Sequence, residues 1–130
     1  MQKAIATRIG ELAVFDEGGG TPVVFWPSLF SDHHLFDSVV EGLGASWRTV
    51  RIDGPGFGKS DPVGAGEEPE MYAKAMFEVL DALEIKRAIL VGCSWGGQVV
   101  LHAGVRAPER AVGVLAMNTP LAPSIGGHFM

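Results

Sequence analysis

Apolar positions along this chain fall into short continuous runs separated by stripes of helical period. Pro22–Trp26 contains Val23-Val24-Phe25-Trp26, Arg87–Val91 contains Ala88-Ile89-Leu90-Val91, and Ala111–Met117 is apolar along its whole length. Runs of this length, bounded by turn residues, predict strands buried on both faces. Trp47–Ile52 predicts another strand, and Ala4–Ile9 with Glu11–Asp16 predicts a hairpin joined at Gly10. Between the strands lie three helical stripes. Leu35, Phe36, Val39, Val40 and Leu43 share one face of a helix that Ser31 or Asp32 can cap. Tyr72, Ala75, Met76, Val79, Leu80 and Leu83 mark a second, with Pro69 in its first turn. Ser94–Arg106 reads as a third, stopped by Pro108, and Pro120–Met130 reads as loop.

Strands that alternate with helices imply right-handed crossovers. The expected fold class is therefore α/β, a mostly parallel sheet of about six strands with helices on both faces. The first two strands would add an antiparallel edge. Ligand sites in such sheets lie beyond the carboxyl ends of the strands. Three loops leave those ends: Pro27–Ser31, Asp53–Pro62 and Gly92–Gly96.

Composition narrows the function classes. The 130 residues suffice for one domain, and 47% of them are hydrophobic, enough for a real core. A net charge of −5 argues against nucleic acid or an anionic membrane surface as the main partner. The single cysteine, Cys93, permits no internal disulfide and no structural zinc site of its own. Neither a signal-peptide pattern nor an apolar run of membrane-spanning length is present, so a cytoplasmic protein is expected. No metal or cofactor is implied. The 18 glycines cluster at predicted turns.

Chemistry is concentrated in Gly92-Cys93-Ser94-Trp95-Gly96, a match to G-x-S-x-G placed between a strand and a helix, the context that motif requires. The turn lifts the Ser94 hydroxyl to the tip of the strand, where the free N–H groups of the helix favour developing negative charge. Small residues at Gly92 and Gly96 allow the turn to close. The Trp95 N–H is a candidate oxyanion donor. Trp26, Phe30, Phe36 and Trp95 are candidate pocket-lining residues, with core packing at least as strong a reading for Trp26 and Phe36. Cys93 reads as a small residue beside the turn, the Met71 and Met76 pair as helix core, and Glu67, Glu68 and Glu70 as solvated helix-start charges.

Taken together, three segments resemble the α/β-hydrolase superfamily from about residue 4 to residue 120. Besides the serine motif, Asp53-Gly54-Pro55-Gly56-Phe57-Gly58-Lys59-Ser60 resembles the family's D-x-x-G-x-G-x-S loop. Val23-Val24-Phe25-Trp26-Pro27-Ser28-Leu29 resembles its strand and oxyanion loop. The resemblance implies Ser94 as nucleophile, Leu29 and Trp95 as backbone oxyanion donors, and Asp53 as a loop-organising residue. It implies a small-molecule ester- or lactone-type substrate and no cofactor. One departure is plain: the family's His-Gly is Pro27-Ser28 here.

The same resemblance places the catalytic acid and histidine beyond the sixth strand, so residues 1–130 are expected to be the N-terminal half of the domain, a truncated fold. Within the chain, His102 lies eight positions after Ser94 on the same helix, about 12 Å along its axis, too far for a direct base. His33 and His34 read as surface residues at a helix start, nothing positions His128, and Asn118 stands where some relatives carry an acid. Three readings follow. One is a serine hydrolase, with cofactor-free peroxidase or acyl-transfer chemistry as variants. Another, motivated by Pro27-Ser28, is a non-catalytic ligand-binding member of the fold. A third concerns assembly: a bare sixth-strand edge should drive self-association or pairing with a complementary C-terminal half.

Overall fold

The computed structural model describes residues 1–28, 31–54 and 69–119. In chain order the elements are β1 (Gln2–Thr7), β2 (Gly10–Glu17), β3 (Thr21–Trp26), α1 (Asp37–Leu43), β4 (Trp47–Ile52), α2 (Pro69–Ala82), β5 (Ala88–Cys93), α3 (Trp95–Arg106) and β6 (Ala111–Met117). A 3₁₀ turn, His33–Phe36, precedes α1, and another, Pro108–Arg110, precedes β6. The predicted loop Pro120–Met130, with His128, lies outside the described residues, as do Leu29, Phe30, Glu67, Glu68 and most of the Asp53–Pro62 loop.

The sheet runs β1-β2-β4-β3-β5-β6. β4, β3, β5 and β6 are parallel, and β1 and β2 add the expected antiparallel pair. Alternation along each strand sorts the core into two layers. Leu12, Val14, Val24, Trp26, Val50, Ile52 and Leu90 face α2 and α3. Val23, Phe25 and Val91 face the other way, against Phe36, Val40 and Leu43. Trp26 is 1% exposed and belongs to the first layer, so the pocket-lining reading gives way to core packing.

The first helical segment departs from expectation. One helix was predicted from Ser31 or Asp32 to Leu43, whereas the chain makes a 3₁₀ turn first and becomes α-helical at Asp37. The Asp32 carboxylate accepts from the His34 N–H, and the His33 N–H is drawn to Asp53. These competing acceptors tighten the first turn. Phe36 is buried, while Leu35 and Val39 of the predicted stripe stand 44% and 46% exposed.

The two edges of the sheet differ. β1 carries Gln2, Lys3 and Thr7, and Lys3 pairs with Asp16 of β2 at 3.2 Å. Arg48 holds the same carboxylate from β4, and its guanidinium keeps Asp16 below the usual carboxylate range. That stabilisation is present above the unfolded pKa of 3.8 and is lost as pH falls through the lower folded value. β6 has no charge and no proline, and Val112, Val114 and Leu115 on it are exposed. Beside it, Phe25, Phe36, Leu43, Ile89, Leu115 and Met117 are among the residues lining an apolar groove of about 300 Å³. Uncharged edges pair with other chains. The 130-residue chain is expected to scatter light as a dimer at roughly tens of micromolar, a range in which such edges associate. Leu115→Lys, a charge on the open edge, should return it to a monomer. A wild-type monomer at that concentration would refute the pairing.

Candidate active site

The turn between β5 and α3 has the backbone that G-x-S-x-G demands. Ser94 sits at φ 55° and ψ −117°, a conformation that L residues avoid. Its N–H donates to the Met117 carbonyl at 2.8 Å, and its carbonyl accepts from the Gly97 N–H at 2.9 Å. Two glycines make this turn possible. A Cβ at Gly92 would stand 2.2 Å from the Gly96 carbonyl oxygen. One at Gly96 would stand 2.3 Å from the Trp26 carbonyl oxygen and 2.5 Å from that of Pro27. The serine turn is thus wedged against the end of β3 and the start of the Pro27–Ser31 segment.

Strain of this kind costs on the order of 1–3 kcal/mol in a non-glycine residue. Ser94→Gly is therefore expected to raise the melting temperature by about 4 °C, from roughly 1 kcal/mol of relief. Ser94→Ala, which keeps a Cβ, should leave it nearly unchanged. Equal melting temperatures for the two variants would show that the turn is not strained.

Trp95 is the first residue of α3, so no helical carbonyl lies four residues before it to accept its N–H. Its ring packs edge-on against Tyr72 at 4.5 Å, and Tyr72 in turn meets Trp26 at 5.9 Å. That aromatic row anchors the helix start to α2. Across the turn, Ser31 donates its N–H and its hydroxyl to the Ser28 carbonyl at 3.3 Å and 2.8 Å. Leu29 and Phe30 lie outside the described residues.

The histidines are redistributed. His33 was expected at the surface, yet it is 7% exposed. Its N–H donates to Asp53 Oδ1 at 2.8 Å, and its Nδ1 lies 2.8 Å from the same oxygen. Asp53, at the carboxyl end of β4, is fully buried. It ties β4 to the turn that follows the Pro27–Ser31 segment, while the loop it was expected to organise lies mostly outside the described residues. The His33 ring stacks on Phe15 of β2 at 3.6 Å. This holds it over the β2/β4 side of the sheet, and β2 is three strand positions, roughly 14 Å, from the strand that carries Ser94. His34 is exposed and bonded to Asp37, whose hydrogen bond raises the histidine's pKa while its own is lowered. His102 is exposed on α3. Among the described residues, therefore, Ser94 and the Trp95 N–H come together at the turn, and the histidines do not join them.

Thr119 was not anticipated. Its side chain crosses the first turn of α3 so closely that a Cβ at Gly97 would stand 1.7 Å from its Oγ1. With Ser94 bonded to Met117, this binds the end of β6 to the serine turn. The positions flanking Asn118 carried no motif that could have revealed it.

Comparison with known proteins agrees with this architecture. Residues 21–127 match the family described as the alpha/beta hydrolase fold. The chain is 36% identical over 117 residues to a 2-hydroxy-6-oxononadienedioate/2-hydroxy-6-oxononatrienedioate hydrolase of Pseudomonas sp., covering 90% of this chain and 38% of that protein. It is 34% identical to a 2-hydroxy-6-oxo-6-phenylhexa-2,4-dienoate hydrolase of Comamonas testosteroni, covering 84% of this chain and 36% of that one. Among solved structures, the N-acyl homoserine lactonase AidH, in complex with N-butanoyl homoserine, superposes with a TM-score of 0.84 at 32% identity, over 92% of this chain and 45% of that one. A hydrolase from Pseudomonas aeruginosa superposes with a TM-score of 0.89 at 26% identity, over 98% and 50%. The chain thus spans half or less of the length of these relatives. No helix among the described residues is long and apolar enough to cross a membrane. With its sheet order, its strained serine turn and the match over residues 21–127, the chain belongs to the alpha/beta hydrolase fold family.

Proposed function

We propose that this chain carries the nucleophile half of a serine hydrolase acting on small carbonyl substrates of the ester or lactone class. The observation that supports it most is the backbone of Ser94, held at φ 55° by two glycines that cannot be enlarged. A serine in that conformation has its hydroxyl at the head of α3, beside an N–H that is free to donate. In the proposed reaction Ser94 Oγ bonds to the carbonyl carbon and its proton passes to a base. The carbonyl oxygen becomes an oxyanion held by the N–H groups of Trp95 and Leu29. Collapse of that intermediate expels the leaving group, and water releases the acyl group by the same route. Of the relatives, the lactonase bears a name within this class, whereas the 2-hydroxy-6-oxo-dienoate hydrolases are named for keto-acids rather than esters.

Activation of Ser94 needs a base oriented toward it, and the described residues place none there. The Pro27-Ser28 departure favours a second reading, a fold that binds a small carbonyl ligand without turning it over. Labelling of the purified chain with a fluorophosphonate probe tests the first. Labelling that disappears in Ser94→Ala supports the nucleophile. A folded chain that takes up no label would be a serine turn without its base, an inactive half-domain.

A further inference from the structure

Away from the serine turn, Asp32, His33 and His34 form a cluster that the proposed hydrolase chemistry does not use. Each imidazole is fixed by a carboxylate on the same nitrogen: His33 Nδ1 lies 2.8 Å from Asp53 Oδ1, and His34 Nδ1 lies 2.8 Å from Asp37 Oδ2. A neutral imidazole that donates from Nδ1 carries its lone pair on Nε2. Among the described residues, no group hydrogen-bonds either Nε2. The two rings lie side by side, with centroids 4.1 Å apart and planes 37° from parallel. Asp32 adds a carboxylate, and one ligating atom from each of the three residues lies within 4.8 Å of the other two. Burial is graded across the cluster: His33 is buried, Asp32 half-buried and His34 exposed, so the cluster is anchored on one side and open to solvent on the other.

Histidines that ligate metals characteristically give their second nitrogen to a carboxylate, which fixes the tautomer and strengthens the ligand. Here both histidines have that support before any ion arrives. We propose that Asp32, His33 and His34 form a binding site for a divalent transition-metal cation of the zinc, copper or nickel class. Two imidazole nitrogens and one carboxylate suit such ions, whereas calcium and magnesium call for sets dominated by oxygen. Water would complete the coordination on the exposed side. The ion would brace the 3₁₀ turn that follows the Pro27–Ser31 segment, and through Asp53 it would couple that turn to β4.

The test is titration of the chelator-treated 130-residue chain with Zn²⁺ against a chromophoric competitor, repeated with Cu²⁺ to read the visible ligand-field band. One equivalent is expected to bind. His34→Ala, at an exposed position that leaves the fold intact, should abolish stoichiometric binding. Asp32→Asn keeps the cap but loses the ligand charge, and Asp37→Asn frees the His34 ring; each should weaken binding about tenfold or more. His102→Ala should change nothing. Absence of one-equivalent binding, binding indifferent to His34→Ala, or binding lost equally in His102→Ala would overturn the site.

Discussion

Gly96→Ala is expected to cost about 3 kcal/mol or more, a fall of roughly 10 °C in melting temperature. The reason is the identity of the atoms that the new methyl group meets. The Trp26 and Pro27 carbonyl oxygens, at 2.3 Å and 2.5 Å, belong to the backbone at the end of a central strand and cannot swing aside as a flexible side chain would. Either β3 separates from α3 or the serine turn opens. In both cases the alignment between Ser94 and the Pro27–Ser31 segment is lost, and fluorophosphonate labelling should vanish with the stability. Gly42→Ala is the matched control. Gly42 lies within α1, where a Cβ meets nothing, so alanine there should stabilise by about 0.5 kcal/mol. Thermal unfolding of both variants beside the parent decides the matter; similar melting temperatures would mean that the contact is not rigid.

Asp53→Ala should be nearly as damaging, at about 3 kcal/mol. The carboxylate is fully buried and serves both the His33 backbone N–H and the His33 ring nitrogen. Removing it strands two polar groups in the interior, at about 1–3 kcal/mol each. Asp53→Asn keeps an oxygen that can accept both bonds but removes the charge, so an intermediate loss is expected. Urea titration gives both values. In the alanine variant, the amides of the 3₁₀ turn should also exchange with solvent faster than those of β5. A loss below about 0.5 kcal/mol, the level of an ordinary surface substitution, would mean that the tie is dispensable.

What could be read from the sequence divides along physical lines. β4 and β6 match their predicted limits, Trp47–Ile52 and Ala111–Met117, and the others differ by a few residues at their ends. Strands buried on both faces declare themselves through unbroken apolar runs, and the serine turn through glycines that its geometry requires. His33 could not be placed in this way. Its neighbours Asp32 and His34 are polar and suggest a solvated helix start, and its burial depends on Asp53, twenty residues further on. That pairing arises only when β4 lies between β2 and β3, a fact of topology rather than of local pattern. Thr119 was hidden for the same reason, because its contact with Gly97 exists only after β6 docks beside β5. The exposure of Leu35 and Val39 was equally out of reach, since a periodic stripe marks a face without saying how far its neighbours cover it.

If copies pair through β6, the unequal edges of the sheet would limit how far such an assembly could grow. Among the described strands, Lys3, paired with Asp16, charges one edge, and the uncharged β6 forms the other. A unit that pairs through β6 alone would have a valence of one. Two copies joined β6 to β6 about a two-fold axis would show the guarded β1 strands at both outer ends, and growth would stop there. The same residues with an uncharged β1 would have no terminator, so a single lysine would separate a closed pair from an open-ended fibre.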